Sequence, residues 1–390
     1  MEPCNKRIHG GNGSGDDRLS ALPDELLHTI LSSLKAQQVV QTSVLSRRWR
    51  SLWRSVPCLD IDQVDFESSQ SESLTPQQKL DKFKAFAYFL LSHRDAGSAL
   101  DTFQLRVDET DPLHIHAGRW VRRALSCCSS LRVLRVRGYG LSLLHAPLDL
   151  GPSLTRLHLS YMSLDERFQE LISSVCVVLE DLKLKRCDLC FDSITSASLE
   201  NLIVQTRKPD YGQLSITAPR LTSLRLLITN SSFEFSVNEM LSLVKASIRY
   251  RSLDLDATCE DTQRKLLSNV HNVMSLELSG FLQMMVPDMK PVEFPIFKNL
   301  INLLLDRCDL RDDFQLLRHF LCKCPNLEKL TVRCCWLPEG SARKEGMAKL
   351  KKLKSTEIIY KDYHDIRGLV CFLLEISDCV PKNSITLTKV

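Results

Sequence analysis

The spacing Leu-x-x-Leu-x-Leu recurs through most of this chain and limits the fold more than any other feature. It runs through Leu131, Leu134 and Val136, through Leu154, Leu157 and Leu159, and through Leu179, Leu182 and Leu184. It returns at Leu199, Leu202 and Val204, then at Leu221, Leu224 and Leu226. Further copies hold Val273, Leu276 and Leu278, then Leu300, Leu303 and Leu305, then Leu327, Leu330 and Val332. A weaker copy contains Leu253 and Leu255, and an earlier one runs through Leu100, Phe103 and Leu105. Each x-L-x-L segment reads as a short strand with one apolar and one exposed face. Such a strand cannot bury its leucines alone, whereas stacked neighbours bury them in one continuous core.

The intervals fall in the range of about 20–29 residues that marks leucine-rich repeats. Several intervals carry a helical apolar face: Phe168, Leu171, Ile172 and Val175; Met240, Leu241, Val244 and Ile248; Phe314, Leu317, Phe320 and Leu321. The expected fold class is therefore α/β, a curved solenoid of strand–helix repeats with its strands on the concave side. Three repeats extend the template to a cysteine, Cys187, Cys308 and Cys335. There the chain turns out of the strand, and a small, weakly polar, buried side chain suits the position. A zinc site at Cys322, Cys324, Cys334 and Cys335, or at Cys187 and Cys190, is the competing reading. Paired Cys-x-x-Cys knuckles with complementary histidines do not occur, so no metal is expected.

Composition narrows the setting. The 390 residues are 44% hydrophobic and 25% charged, with a formal charge of +4. That balance excludes a mainly disordered chain and argues against a strongly basic nucleic-acid binder. The longest apolar stretch, Leu369 to Leu374, is far short of the ~20 residues that cross a bilayer, so no membrane span is expected. The opening residues show no apolar core of a secretory signal. Fifteen cysteines, an odd number, read as reduced and mostly buried thiols in a nuclear or cytoplasmic protein.

The N-terminal part has a different texture. Residues 1–17 are rich in Gly, Asn and Asp and read as a disordered lead. Residues 18–60 form a helical module. Pro23 suits a first helical turn, and Asp24 and Glu25 suit the positive end of a helix dipole. Leu26, Leu27, Ile30, Leu31 and Leu34 make an apolar stripe, and a second helical stretch runs from about Gln37 to Trp53. This is more apolar surface than so small a bundle needs inside, which points to a partner that covers the surplus.

The stretch LPDELLHTILSSL followed by TSVLSRRWRSLW resembles the F-box of plant F-box proteins, with the Leu22-Pro23 start and the run Leu45-Ser46-Arg47-Arg48-Trp49-Arg50 as its marks. With repeats following over residues 61–349, the order resembles the plant F-box/LRR group. The segments LDIDQVDF and WVRRALSCCSSLRVLRV also look typical of it. From Leu350, residues 350–390 resemble the FBD region that ends many such proteins, although the closing PKNSITLTKV departs from the usual hydrophobic ending. The resemblance implies a substrate-recognition subunit of a Skp–cullin–F-box type ubiquitin ligase. Its F-box would dock on a Skp-type adaptor, and through that on cullin and a RING protein, while the repeats hold a target protein. Carried over residue by residue, adaptor contact falls on Leu22, Pro23, Leu26, Ile30 and Leu45, with Arg47, Arg48 and Trp49 nearby. Trp49 and Leu31 also suit the internal core.

Enzymatic motifs are missing. There is no Gly-x-Gly-x-x-Gly, Walker loop, Gly-x-Ser-x-Gly elbow or His-Glu-x-x-His. His114 and His116 near Asp108 and Asp111 read as a solvated loop, and Cys127 and Cys128 as buried thiols. No cofactor is expected. Two other functions remain open on the same scaffold: a receptor for a small ligand in the solenoid, and an interaction scaffold outside any ligase.

The residues that flank the last apolar position of each x-L-x-L point away from the core. They are Arg135 and Arg137, His158 and Ser160, Lys183 and Lys185, Ile203 and Gln205, and Arg225 and Leu227. Then come Asp254 and Asp256, Glu277 and Ser279, Leu304 and Asp306, and Thr331 and Arg333. The early concave face should be positive and the later one negative. Arg135, Arg137, His158, Lys183, Lys185 and Arg225 are thus candidates for capturing an acidic or phosphorylated target segment.

Overall fold

The computed structural model describes residues 22–67, 74–95, 97–108, 114–126, 130–142, 150–206, 212–229, 233–238, 240–251, 257–281, 294–338, 352–361, 366–377 and 384–390. The chain opens with α1 (Asp24–Leu31), α2 (Ala36–Gln41), a 3₁₀ turn over Thr42–Val44, and α3 (Trp49–Leu52). Pro23 precedes the first helical residue, and Asp24 and Glu25 occupy the first turn, where they complement the helix dipole. The first strand, β1 (Cys58–Asp62), follows at once, then α4 (Val64–Glu67) and the long α5 (Pro76–Ser92). Helix α5 starts on a reciprocal cap, in which the Gln78 amide N–H donates to Thr75 Oγ1 and the Thr75 N–H to Gln78 Oε1.

Thereafter the strands come at repeat intervals. They are β2 (Thr102–Arg106), β3 (Val133–Ser142) after α6 (His114–Ser126), β4 (Arg156–Leu164), and β5 (Asp181–Leu189) after α7 (Glu166–Glu170) and a single wide π-type turn. Next are β6 (Ser193–Thr195), β7 (Asn201–Thr206), β8 (Gly212–Thr217), β9 (Ser223–Ile228), β10 (Phe233–Asn238) and β11 (Lys245–Tyr250). Then come α8 (Ala257–Asn269), β12 (Ser275–Ser279), β13 (Asn302–Asp306), α9 (Gln315–Lys323), β14 (Lys329–Arg333), β15 (Ser355–Tyr360), α10 (Arg367–Ser377) and β16 (Ser384–Lys389). Thirteen strands form one parallel sheet in the order β1-β2-β3-β4-β5-β7-β9-β11-β12-β13-β14-β15-β16, and β10-β8-β6 form a second one. In place of helices, the middle repeats carry the strands of this second sheet on the outer layer. Strand β1 lies before the repeats read from sequence, and β16 lies in the C-terminal segment. Both belong to the same sheet.

Register explains why the leucines repeat. Leu134 pairs with Leu157, Leu157 with Leu182, and Leu182 with Leu202. Leu276 pairs with Leu303 and Leu303 with Leu330. All of these are 1% exposed or less. Burying a leucine contributes roughly 1.5–3 kcal/mol, and in-register stacking lets each one serve the repeat on either side.

The structure corrects one stretch. Met240, Leu241, Val244 and Ile248 do not form a helical face. The chain turns at Leu241 and then enters β11, which pairs with β9 and β12. Leu243, Ala246 and Ile248 are buried, whereas Leu241 is 84% exposed. An apolar run of period two, clamped between two strands of matching pattern, extends because both partners offer it a full ladder. Leu253, Leu255, Asp254 and Asp256 lie outside the described residues. Asp111, Cys127 and Cys128 do so as well.

One further element is periodic and was not read from the sequence. The residue just after the strand's first concave pair has a left-handed backbone in repeat after repeat: Tyr161 (φ 62°), Arg186 (φ 52°), Gly280 (φ 70°), Arg307 (φ 49°) and Cys334 (φ 48°). This kink turns the following side chain inward, placing Met162, Cys187, Phe281, Cys308 and Cys335 in the core. The thiols of Cys187, Cys308 and Cys335 lie 3.5–3.6 Å from the carbonyls of Leu159, Leu278 and Leu305 in the preceding repeat. The Cys308 N–H also donates to Cys335 Sγ over 3.4 Å. These cysteines are therefore core groups that bond between repeats, as expected of the extended template. Burial pushes the Cys187 thiol up to about 11.

Two predictions follow from the kink. A Cβ at Gly280 would sit 2.3 Å from the Tyr250 carbonyl oxygen, on a backbone that side chains avoid. Gly280→Ala should lower stability by more than about 1 kcal/mol, read as an earlier urea midpoint. Gly118→Ala, whose Cβ meets nothing within 4 Å in α6, should instead gain about 0.5–1 kcal/mol. In native thiol labelling, the exposed Cys190, Cys322 and Cys371 should react quickly, while Cys187, Cys308 and Cys335 stay protected until unfolding.

Candidate functional site

Two surfaces stand out, one at each layer of the molecule. The first is on α1, which carries two apolar stripes about 100° apart. Leu27 and Leu31 point inward and are 0% exposed, while Leu26 and Ile30 are 51% and 41% exposed. Leu22 is half-buried against the core and Pro23 is exposed. After α2 the chain exposes Val44 and Leu45, at 85% and 61%. Arg48 pairs with Asp24, which holds this second segment against the start of α1. Pro23, Leu26, Ile30, Leu45 and Arg47 are thus exposed, and Leu22 and Arg48 half-buried. Trp49, by contrast, is 4% exposed and belongs with Leu52 and Trp53 in the core. Its indole supports the helices from within. The sequence could not tell Leu26 from Leu27, because both are spaced correctly for burial.

The helices are tied to the sheet by charge. Lys35 Nζ lies 2.8 Å from Asp60 and 3.2 Å from Asp62, and Arg106 lies 2.9 Å from Asp62. Asp62 is 3% exposed, so its carboxylate depends on both cations. Arg94 adds a bond to the Val56 carbonyl at 2.8 Å, and Trp53 packs on Phe89 of α5. The helical module therefore meets the sheet through fixed polar contacts as well as apolar packing.

The second surface is a trough of about 460 Å³ on the exposed face of β2 to β7. Five of the six expected residues line it, namely Arg135, Arg137, His158, Lys183 and Lys185. Register aligns them in two rows, Arg135–His158–Lys183 and Arg137–Ser160–Lys185. Arg225 sits on the same face of β9 but outside the trough. The structure adds Arg106, Tyr161 and Arg186. Tyr161 and Arg186 escape strand periodicity because they occupy the left-handed kink, which swings them onto the concave side. Arg186 donates to the Tyr161 hydroxyl over 2.6 Å, and both Arg137 and Arg186 stack on the Tyr161 ring. Tyr139 packs beside it, with ring centroids 4.1 Å apart.

Among the described residues, no carboxylate lines this trough. Asp181 lies outside the lining, where it accepts from His158 Nε2 at 3.1 Å and Lys183 Nζ at 2.9 Å. Burial alone would raise its carboxyl, but the His158 and Lys183 hydrogen bonds outweigh burial and hold it at about 2. Arg135 donates in turn to His158 Nδ1.

Of the acids expected to make the later concave face negative, Glu277 and Asp306 lie among the described residues, and both are paired. Glu277 accepts from Arg249 and Ser247, and Asp306 accepts from Arg333 and Ser279. Arg249 lies on β11, ahead of the Leu253 and Leu255 spacing that the repeat period suggests. Both of these described acids meet a cation on a neighbouring strand, so their field cancels locally. In the trough, Arg106 and Lys183 are likewise paired, whereas Arg135, Arg137, Lys185 and Arg186 have no carboxylate partner among the described residues.

Among the described residues, no helix is long and apolar enough to cross a membrane, and no three His, Cys, Asp or Glu side chains converge as metal ligands.

Comparison with known proteins agrees with this division. A family model described as F-box domain matches residues 19–60, and one described as At1g61320/AtMIF1, LRR domain matches residues 124–358. The MEIOTIC F-BOX protein MOF of Oryza sativa subsp. japonica is 34% identical over 366 residues, covering 87% of this chain and 76% of that protein. An F-box/FBD/LRR-repeat protein of Arabidopsis thaliana is 28% identical, covering 96% of this chain and 91% of its own. F-box/LRR-repeat protein 13 of Arabidopsis thaliana is 27% identical, with 99% and 93% covered.

Asp181 makes a pH prediction. Its folded value lies below the unfolded ~3.9, so the stabilisation is complete above about pH 4 and lost as pH falls toward 2. Denaturant midpoints across the acid range should show that Asp181→Asn flattens this part of the wild-type decline.

Proposed function

The chain belongs to the plant F-box/LRR-repeat proteins, and on that premise we propose that it is the target-binding subunit of a Skp–cullin–F-box type ubiquitin ligase. Helix α1 docks on a Skp-type adaptor, which brings cullin and a RING protein. The strand-lined face of the solenoid holds the target. The observation that carries this reading is the second apolar stripe of α1. Leu26 and Ile30 face outward, with Leu45 exposed on the segment that Arg48 ties to the start of α1. Exposed aliphatic side chains grouped in this way suit the desolvated centre of a protein interface.

The chain's contribution is proximity and orientation, and the transfer chemistry belongs to its partners. The polar lock at Asp62 supports that role, because it fixes the helices relative to the sheet and so sets where a held target lies relative to the adaptor. Nucleus or cytoplasm is the setting that suits core thiols such as Cys187, Cys308 and Cys335, which work unbridged.

The test is co-purification with a Skp-type adaptor and cullin. Leu26→Ala with Ile30→Ala should remove more than about 2 kcal/mol of binding, a factor of roughly 30, with an unchanged melting curve. Leu27→Ala should instead lower the melting temperature, since that side chain is internal. Wild-type recovery of adaptor and cullin by the double variant would sink the ligase reading and leave a plain interaction scaffold.

A further inference from the structure

We propose that the basic trough over β3, β4 and β5 recognises a phosphorylated side chain, a phosphomonoester dianion, on an extended segment of the target protein. This rests on the reading of the solenoid as the target-holding part and names what that part selects.

The charge is the first reason. Arg135 and Arg137 on β3 face Lys183, Lys185 and Arg186 on β5 across β4, and no acidic residue lines the space between them. Among the described residues, Arg135, Arg137, Lys185 and Arg186 form no ion pair with a carboxylate, whereas Glu277 and Asp306 on the same sheet are each paired with an arginine. Cations left together without counter-charge repel one another, and an anion bound between them relieves that repulsion.

Geometry is the second reason. In the outer row, Arg137 and Lys185 flank Ser160 in register. Their strands are two spacings apart, about 10 Å. The small serine leaves room between the two cations for a group to descend to the sheet. Arg186 approaches from the side, fixed by its bond to the Tyr161 hydroxyl and its stacking on that ring. An arginine held this way loses little freedom on binding and presents its fork of donors. A dianion with three terminal oxygens can satisfy three cationic donors at once, where a carboxylate offers two oxygens and one charge.

Shape is the third reason. The cations of β3 and β5 span only about 10 Å across the sheet; Arg106 on β2 is already paired with Asp62, and the strand beyond β5 offers Ile203 and Gln205. A single phosphoryl group meets that patch, whereas a polynucleotide would need a longer cationic track. The trough of about 460 Å³ also has room for the residues around the phosphate, with Tyr161, backed by Tyr139, as an aromatic wall.

The test uses the purified full chain and a degenerate peptide library with one central phosphoserine, alongside the same library bearing Ser or Glu there. Binding should be at least tenfold tighter for the phosphorylated library than for either control. It should weaken steeply with added salt. Arg137→Gln and Lys185→Gln should each reduce it at least tenfold. Tyr161→Phe, which removes only the hydroxyl that holds Arg186, should reduce it severalfold at an unchanged melting temperature. Equal binding of the three libraries would overturn the proposal, as would indifference to all three substitutions. Inorganic phosphate that binds as tightly as the best phosphopeptide would assign the trough to a free anion instead, and single-stranded RNA bound more tightly than phosphopeptide would assign it to nucleic acid. Adaptor capture is measured on the same preparations. If adaptor binding fails while phosphopeptide binding persists, the ligase reading falls and the trough stands. The opposite pattern removes the trough alone.

Discussion

A five-residue strand with two leucines on one side has nothing of its own to set them against. Every other feature of this protein depends on the remedy, which is the in-register stacking of Leu134, Leu157, Leu182 and Leu202, and later of Leu276, Leu303 and Leu330. Once these side chains form one ladder, the opposite residues of each strand are forced onto a common exposed face. Chemistry scattered through the sequence at intervals of a repeat becomes a row across the sheet. Arg137, Ser160 and Lys185 are neighbours for this reason alone.

The same stacking makes room for the left-handed kink. A non-glycine residue in that backbone region is disfavoured, and the molecule adopts it at Tyr161, Arg186, Arg307 and Cys334. The return is twofold. The following residue is driven inward, where Cys187, Cys308 and Cys335 reach carbonyls of the preceding repeat. The kinked residue itself is swung onto the concave side. Core bonding and surface chemistry are therefore products of one backbone device. At Gly280 close approach to Tyr250 leaves no space for a side chain, and glycine takes the position.

Charge does different work at different places on the sheet. At Asp62 it joins the helical module to the first strands, using a carboxylate too buried to stand alone. Between β11 and β14 it cancels, arginine against acid, and stiffens the exposed face. Over β3 to β5 it accumulates. Asp181 neutralises part of the lower row and orients His158 and Lys183, while the outer row keeps its positive field. A protein that only needed a soluble sheet face would be served by the cancelling pattern throughout.

The repeat spacing by itself determined the solenoid, its concave strands and the burial of the template cysteines, because period and burial are local properties that leave their mark in residue order. Five of the six residues it picked out for the concave face line the trough, since alternation along a strand tells inside from outside. Where two neighbours were equally apolar, as with Leu26 and Leu27, only tertiary packing separated the buried from the exposed. Near Met240 the spacing allowed a helix, and the partner strands β9 and β11's other neighbour, β12, decided for a strand by offering a complete hydrogen-bonded ladder. Arg186 and Tyr161 entered the trough through backbone angles that no side-chain period encodes. The pairing of Glu277 with Arg249 and of Asp306 with Arg333 joins residues about a repeat apart. Sequence order states which charges a chain carries, but whether they add or cancel depends on distances that exist only after the strands have found their register.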